Sequence, residues 1–269
     1  MIVYRVPLSL ALALLTLSPA LATASERRFT YTYESVVLNK GELEFEPWTT
    51  IRAGRDGYYL RFDERLEFEV GLTDRLQTAL YLNFSAVMQD DVLDARKRSF
   101  NFGGVSSEWK YKLLDPVAHP LGLALYFETT LAPHELELEG KLILDKRLGR
   151  FLVAFNTIVE YEWNFESKKE TEKELVLEFT LGLGFYITHA LFAGLEVRNH
   201  NEFVAGHGFE HSSLFAGPTV SYAGKRWWVA TTVLPQLPAL KKDATHGSGL
   251  LDLQGHERIE ARLIFGWHL

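Results

Sequence analysis

The residues best equipped for chemistry in this chain are five histidines in its carboxyl-terminal part: His200, His207, His211, His246 and His256. Imidazole is a common ligand for zinc, copper or nickel. A metal site needs three ligands to converge. The spacing here matches no known metal motif and offers no pair two residues apart on one strand face. The five are therefore read as polar residues at outer strand ends and in outer loops, with no metal and no cofactor expected. Nucleophilic catalysis would need a serine, a histidine base and an orienting acid. The best candidate is His211-Ser212-Ser213 with Glu202 or Glu210. On a strand His211 and Ser213 share a face while Ser212 points away. No glycine elbow or hydrolase signature accompanies them, so no catalytic residue is assigned and an enzyme is not expected.

A second kind of chemistry lies in rows of charge at alternate positions: Arg61, Asp63, Arg65, Glu67 and Glu69; Glu108, Lys110 and Lys112; Glu137, Glu139 and Lys141; Arg258, Glu260 and Arg262. Both signs occur in nearly every row. Inside a barrel such rows would line a lumen, pair across strands and pass small polar solutes. On an exposed sheet they would be a solvated face. If the lumen conducts, its acidic excess predicts a preference for cations, since charged rings set selectivity.

These rows need strands to hold them. Successive strand side chains point to opposite faces, and the charged rows alternate with apolar ones throughout. Leu60, Phe62, Leu66, Phe68 and Val70 interleave with the row from Arg61 to Glu69, and only Glu64 breaks the apolar face. Turn signals divide the chain into strands near 42–53, 58–72, 76–88, 100–114, 121–132, 135–145, 151–163, 173–187, 191–203, 210–222, 226–234 and 255–269. The count of about twelve is even, as bacterial single-chain barrels require. Connections after even-numbered strands are short. Several after odd-numbered strands are long (89–99, 164–172, 235–254), the known asymmetry between periplasmic turns and outer loops. In the closing strand Ile259, Ala261, Leu263, Phe265, Trp267 and Leu269 form the lipid face. Leu263, Phe265, Trp267 and Leu269 act as the signal read by the barrel-assembly machinery. The opposite row, Arg258, Glu260 and Arg262, is placed to meet Glu42, Glu44, Glu46 and Arg52 of the first strand.

Composition narrows the class. The 269 residues include no cysteine and carry a formal charge of −7. Disulfide scaffolds and thiolate metal sites are excluded, and the charge argues against a nucleic-acid partner. Residues 1–24 read as a secretory signal peptide: Arg5, an apolar core from Leu8 to Leu17, and Ala22-Thr23-Ala24 before the cleavage point. Residues 25–41 read as a periplasmic lead-in, and 42–269 as the barrel. Strands of about twelve residues run to about 40 Å, longer than globular proteins use and enough for a tilted bilayer crossing. Trp48, Trp109, Tyr111, Tyr161, Trp163, Trp227, Trp228 and Trp267 fall near strand ends, where interfacial girdles sit. The fold class expected is all-β, a transmembrane antiparallel up-and-down β-barrel of about twelve strands. It would lie in outer-membrane lipid and act as a channel or transporter for a small solute. A structural or surface-interaction barrel without conductance is the alternative; a lipid-modifying enzyme is a more distant one.

Three segments carry a family resemblance: Phe29–Thr50, Gly217–Leu237 and the terminal HERIEARLIFGW. They resemble a family of uncharacterised bacterial outer-membrane β-barrel proteins and, more loosely, MetA-type phenol-degradation-pathway transporter barrels. The resemblance implies an outer-membrane barrel over the mature chain, with no established substrate. Assembly signals of such barrels usually end on Phe or Trp, whereas this chain ends on Leu269.

Overall fold

The computed structural model describes residues 26–90, 96–165, 171–242 and 249–269. The signal segment 1–24 and His246 lie outside them. Twelve strands follow one another: β1 (Leu43–Arg55), β2 (Gly57–Thr73), β3 (Leu76–Asp90), β4 (Arg96–Leu114), β5 (Gly122–Ala132), β6 (Glu135–Leu148), β7 (Phe151–Asn164), β8 (Glu172–Tyr186), β9 (Leu191–Val204), β10 (Gly208–Ala223), β11 (Trp227–Pro235) and β12 (Ile259–His268). Each pairs antiparallel with its sequence neighbours, and β12 returns to β1, so the sheet closes into an up-and-down barrel. Closure leaves no sheet edge, the condition for a strand protein in lipid. The shortest strand has 9 residues and the longest 19, which meets the length a tilted crossing needs.

The two faces invert the pattern of a water-soluble protein. Phe68, Leu80, Leu125, Phe127, Leu195 and Leu263 are exposed on the outside, while Glu67, Glu108, Glu128, Glu196 and Glu260 are buried inside. Charged side chains are almost never fully buried unless paired. A wall that turns its apolar residues outward and its carboxylates inward is built for an apolar surrounding. Glu64, the outlier on that outer face, accepts a hydrogen bond from the Thr49 hydroxyl of the adjacent strand at 2.8 Å. Among the expected girdle aromatics, Trp109, Tyr111 and Trp267 are exposed outside. Trp48 and Trp228 are buried; they share the inward parity of Glu46 and Ala230, and Trp228 donates to the Glu44 carboxylate.

One end of the barrel carries the turns 74–75, 115–121, 149–150, 187–190 and 224–226; the other carries 56, 91–95, 133–134, 165–171, 205–207 and 236–258. The expected asymmetry therefore rests mainly on 165–171 and 236–258. Most of the loop read at 89–99 is strand instead: Asp90 pairs with Arg96 and Gln89 with Lys97. Polar, exposed side chains on both faces there erase the alternation by which a strand is recognised. In the turn after β4 the Asp115 carboxylate accepts hydrogen bonds from the Val117 and Ala118 amides, which hold it below the usual carboxylate range.

The segment expected as a periplasmic lead-in does not stand clear of the barrel. From Glu26 to Leu38 it is largely buried and runs inside the lumen at the end where β1 begins. Its backbone forms no ladder with any strand, so its amides need side-chain acceptors, and the lumen supplies them. The chain leaves at the rim, where the Gly41 amide bonds the Gly71 carbonyl at 2.8 Å.

Candidate functional site

The lumen is the site, and it has three levels. At the level of the first rungs, Glu44, Glu46, Glu67, Glu69 and Glu108 converge from β1, β2 and β4. Their parity is inward on each strand, and the register sets Glu44 opposite Glu69 and Glu46 opposite Glu67. Trp48 donates to Glu46 at 3.1 Å. His268 lies 2.9 Å from Glu44. The Tyr81 hydroxyl bonds Glu108. Cations face this cluster from two directions: Lys110 from the wall and Arg27 from the amino-terminal segment, whose guanidinium stacks over Tyr33 and Trp48 at 4.0 and 4.5 Å.

The middle level is where the amino-terminal segment is gripped. Glu196 of β9 accepts the backbone amides of Thr30, Tyr31 and Thr32 at 3.0, 2.9 and 2.8 Å. Three successive N–H groups around one carboxylate form an anion-binding nest. The Thr232 hydroxyl also donates to Glu196, at 2.5 Å. Asn156 both accepts from the Tyr33 amide at 2.6 Å and donates to its carbonyl at 2.9 Å. Asp145 accepts the Ser35 amide and Gln77 the Leu38 amide. Phe29 packs edge-on against Phe192, over Gly182, where any Cβ would stand 2.8 Å from the ring. Arg262 bonds Thr50 at 2.8 Å and the Thr30 carbonyl at 3.2 Å, with its guanidinium over Tyr31.

Above this runs a network of ion pairs that spans non-adjacent strands. Arg198 of β9 reaches Glu178 at 2.8 Å and Glu260 of β12 at 3.0 Å. Arg65 of β2 reaches Glu128 of β5 at 3.2 Å. Arg52 pairs with Asp63 at 3.0 Å and with Glu260 at 3.6 Å. Such cross-lumen pairs can form only where side chains from several strands meet inside a barrel.

The third level lies toward the 236–258 connection. Its residues 249–258 pack into the opening: Asp252, His256 and Glu257 are buried, and Arg55 binds Glu257 at 2.5 Å. His200 of β9, His211 of β10 and His256 of the connection meet there, each offering a ring nitrogen within 4.8 Å of the others. On β6 and β7, Glu137, Glu160 and Glu162 form a half-buried acidic group.

Of the charged residues singled out in the sequence, Glu67, Glu69, Glu108, Lys110, Lys141 and Glu260 are buried in the lumen, and Arg65 and Arg262 bond across it. Arg61 pairs with Asp63 at 2.6 Å nearer the mouth. Glu139 pairs with Lys141 at 2.8 Å. Lys112 sits at the short-turn rim with Asp115. Arg258 is exposed and precedes β12, so the closing strand is shorter than its sequence pattern and begins at Ile259. At the closure Glu260 meets Arg52 as expected. Arg262 meets Thr50 rather than an acid, and Glu44 is met by His268. Leu263 and Trp267 face outward and Leu269 ties its amide to the Leu43 carbonyl at 3.0 Å; Phe265 stacks on Trp227 at 6.0 Å.

Sequence reading missed Glu196, Arg198, Glu178, Asn156 and Glu128. The signal was present for the first two: Glu196, Arg198, His200 and Glu202 alternate in phase along β9. The serine candidate is not assembled. Ser213 Oγ has no hydrogen-bond partner, His211 Nε2 lies 3.3 Å from the Glu202 carboxylate, and the Ser212 hydroxyl donates to Asn201 at 2.7 Å.

A closed barrel with an apolar exterior and a charged interior is a transmembrane β-barrel, here with its own amino-terminal segment seated in the lumen. Residues 21–269 match the model described as a family of unknown function (DUF6662), and the chain belongs to that family. No curated protein matches the chain. An outer membrane channel from Pseudomonas putida F1 is similar in structure, with a TM-score of 0.65 and 11% identity over 91% of this chain and 100% of that one. The β-domain of the Bordetella autotransporter BrkA is similar at a TM-score of 0.56, with 11% identity over 86% of this chain and 100% of that one. At these identities the likeness is one of fold.

Proposed function

We propose that the protein is an outer-membrane channel for small polar solutes, kept narrow by its own amino-terminal segment. The observation that carries this reading is how residues 26–38 are held. They occupy the lumen through side-chain acceptors such as Glu196 and Asn156, not through the sheet, so the segment can leave without opening the barrel wall. A purely structural barrel has no need of such a separable plug. The fold shared with the Pseudomonas putida channel is in keeping with this.

In this reading the short-turn end, where the plug enters, faces the periplasm, and residues 249–258 narrow the outer mouth. The barrel-assembly machinery would read the closing strand. The solute path runs past Glu137, Glu160 and Glu162, whose carboxylates would draw cations inward. The role proposed is passage of solute.

The opposite reading, a structural barrel without conductance, draws on the same filled lumen, with Arg198, Glu178 and Glu260 locked together. Swelling of liposomes containing the purified barrel, tested with a panel of cationic, neutral and anionic solutes, separates the two. Uptake of small cations ahead of anions of equal size supports the channel. No uptake of any solute, by the intact barrel or by one lacking residues 26–38, leaves the structural barrel.

A further inference from the structure

The histidine cluster at the long-loop mouth is not used by the plug, and it touches the ion-pair network only through His200, whose Nδ1 lies beside Glu178 and Arg198. His200 and His211 come from neighbouring strands, and a bulge brings them to one face. Phe209 pairs with Phe203 but His211 with Glu202, so Glu210 is an extra residue in β10. Were Glu210 paired with Glu202 in an unbulged register, His211 would fall opposite Asn201 and on the other face of the sheet from His200, because a one-residue slip flips every side chain. His256 arrives from the connection and stands edge-on to both rings, with centroids 4.8 Å from His200 and 4.7 Å from His211.

Two of the three rings lie at least nine-tenths buried, each with a ring nitrogen that bonds nothing. His211 is 4% and His256 6% exposed; the His211 Nδ1 and the His256 Nε2 lack partners. Buried polar groups are normally satisfied, and each exception calls for a reason. His200 already has the partner that a ligand histidine requires. Its Nδ1 lies 3.0 Å from the Glu178 carboxylate, which leaves Nε2 for the cluster. That carboxylate–histidine arrangement is how metal-binding imidazoles are oriented. Glu202 extends Oε2 to 3.3 Å from His211 Nε2 and 3.9 Å from His200 Nε2, the position of a fourth ligand. Gly255 permits the close approach: a Cβ there would stand 3.3 Å from the His211 ring.

We propose that His200, His211 and His256, with Glu202 as fourth donor, bind one borderline divalent transition-metal ion such as Zn2+. Three imidazoles and a carboxylate suit that class over Mg2+ or Ca2+, which prefer oxygen ligands. Ring nitrogens within 4.8 Å of one another need to close to about 3.3 Å around a tetrahedral zinc, a shift that ring rotation supplies. Because His256 belongs to the connection and the other two to the wall, the ion would staple the 249–258 segment onto β9 and β10.

The test uses the tag-free full chain folded in detergent, so it does not depend on whether the barrel conducts. Zn2+ titrated by calorimetry should bind at one site per chain, and Co2+ should give the intense visible absorption of a four-coordinate site. His211→Ala and His256→Gln should each abolish that absorption. Glu178→Gln should weaken Zn2+ binding by about 10–100-fold, while His207→Ala should leave it unchanged. On the unmodified chain, Zn2+ should protect His200, His211 and His256 from diethyl pyrocarbonate, a readout that needs no variant to fold. The proposal is overturned if the intact chain shows no saturable Zn2+ binding. It is equally overturned if binding survives His211→Ala and His256→Gln, or if Zn2+ leaves the three histidines as reactive as before.

Discussion

Replacing Glu196 by alanine should unseat the plug. The Glu196 carboxylate is the sole hydrogen-bond acceptor given to the amides of Thr30, Tyr31 and Thr32, at 3.0, 2.9 and 2.8 Å. A buried amide left unpaired costs about 1–3 kcal/mol. Three of them give at least about 3 kcal/mol even if water relieves part of the loss, which corresponds to a roughly 100-fold rise in the population of the unseated segment. Glu196→Gln separates the two carboxylate oxygens. Its carbonyl can keep the Oε1 bonds to Tyr31 and Thr32, but its NH2 then opposes the Thr30 amide and the Thr232 hydroxyl, which now bond Oε2. The expected loss is about 1–3 kcal/mol, that of a single unsatisfied site. Hydrogen exchange of the folded barrel in detergent reads this directly. Exchange at residues 30–32 should accelerate roughly 100-fold in Glu196→Ala and less in Glu196→Gln, while wall amides such as those of β6 and β7 keep their protection. Unchanged exchange at 30–32 in Glu196→Ala would refute the claim that this carboxylate seats the segment.

Three other outcomes follow from the same interior. Gly182→Ala drives a methyl against Phe29, whose ring carbons stand 2.8 Å from the Cβ position; overpacking of this kind costs about 1–3 kcal/mol, and protease cleavage within residues 26–38 should quicken without loss of the barrel. Arg198→Met leaves Glu178 and Glu260 buried without their shared cation. Breaking a buried pair costs about 3–5 kcal/mol, seen as a fall in the unfolding temperature in detergent, whereas an unchanged temperature would mean the network contributes little. Deleting residues 265–269 removes the β12 rungs opposite Glu44 and Phe45 and opposite Trp227 to Val229; the truncated chain should fail to insert, and a protease-resistant, heat-modifiable product would contradict the role given to the closing strand.

The barrel was legible because its physical rule is local. Alternation of Leu60 to Val70 with Arg61 to Glu69 needs no knowledge of any other strand, and the parity read there is the parity found. Where the hairpin of β3 and β4 extends past the apolar band, both faces turn polar and the rule loses its signal, which is why Gln89–Ser99 read as loop. The interior was harder. In residues 26–38 Phe29, Tyr31 and Tyr33 alternate as a strand would, which does not announce a plug; their place follows from acceptors at Glu196, Asn156 and Asp145, more than a hundred residues away. The histidine cluster depends on the one-residue register shift at Glu210 and on a connection that folds back. Spacing along the chain holds neither fact. His207 remains an exposed turn residue, consistent with the plain reading of a loop histidine.

The measurement that bears most directly on the central claim is planar-bilayer recording of the intact barrel beside one lacking residues 26–38. A plugged channel predicts small or rare conductance from the intact chain and a several-fold larger, cation-preferring conductance from the deletion. A correctly folded deletion barrel that stays silent, or conducts no better than the intact chain, would contradict it.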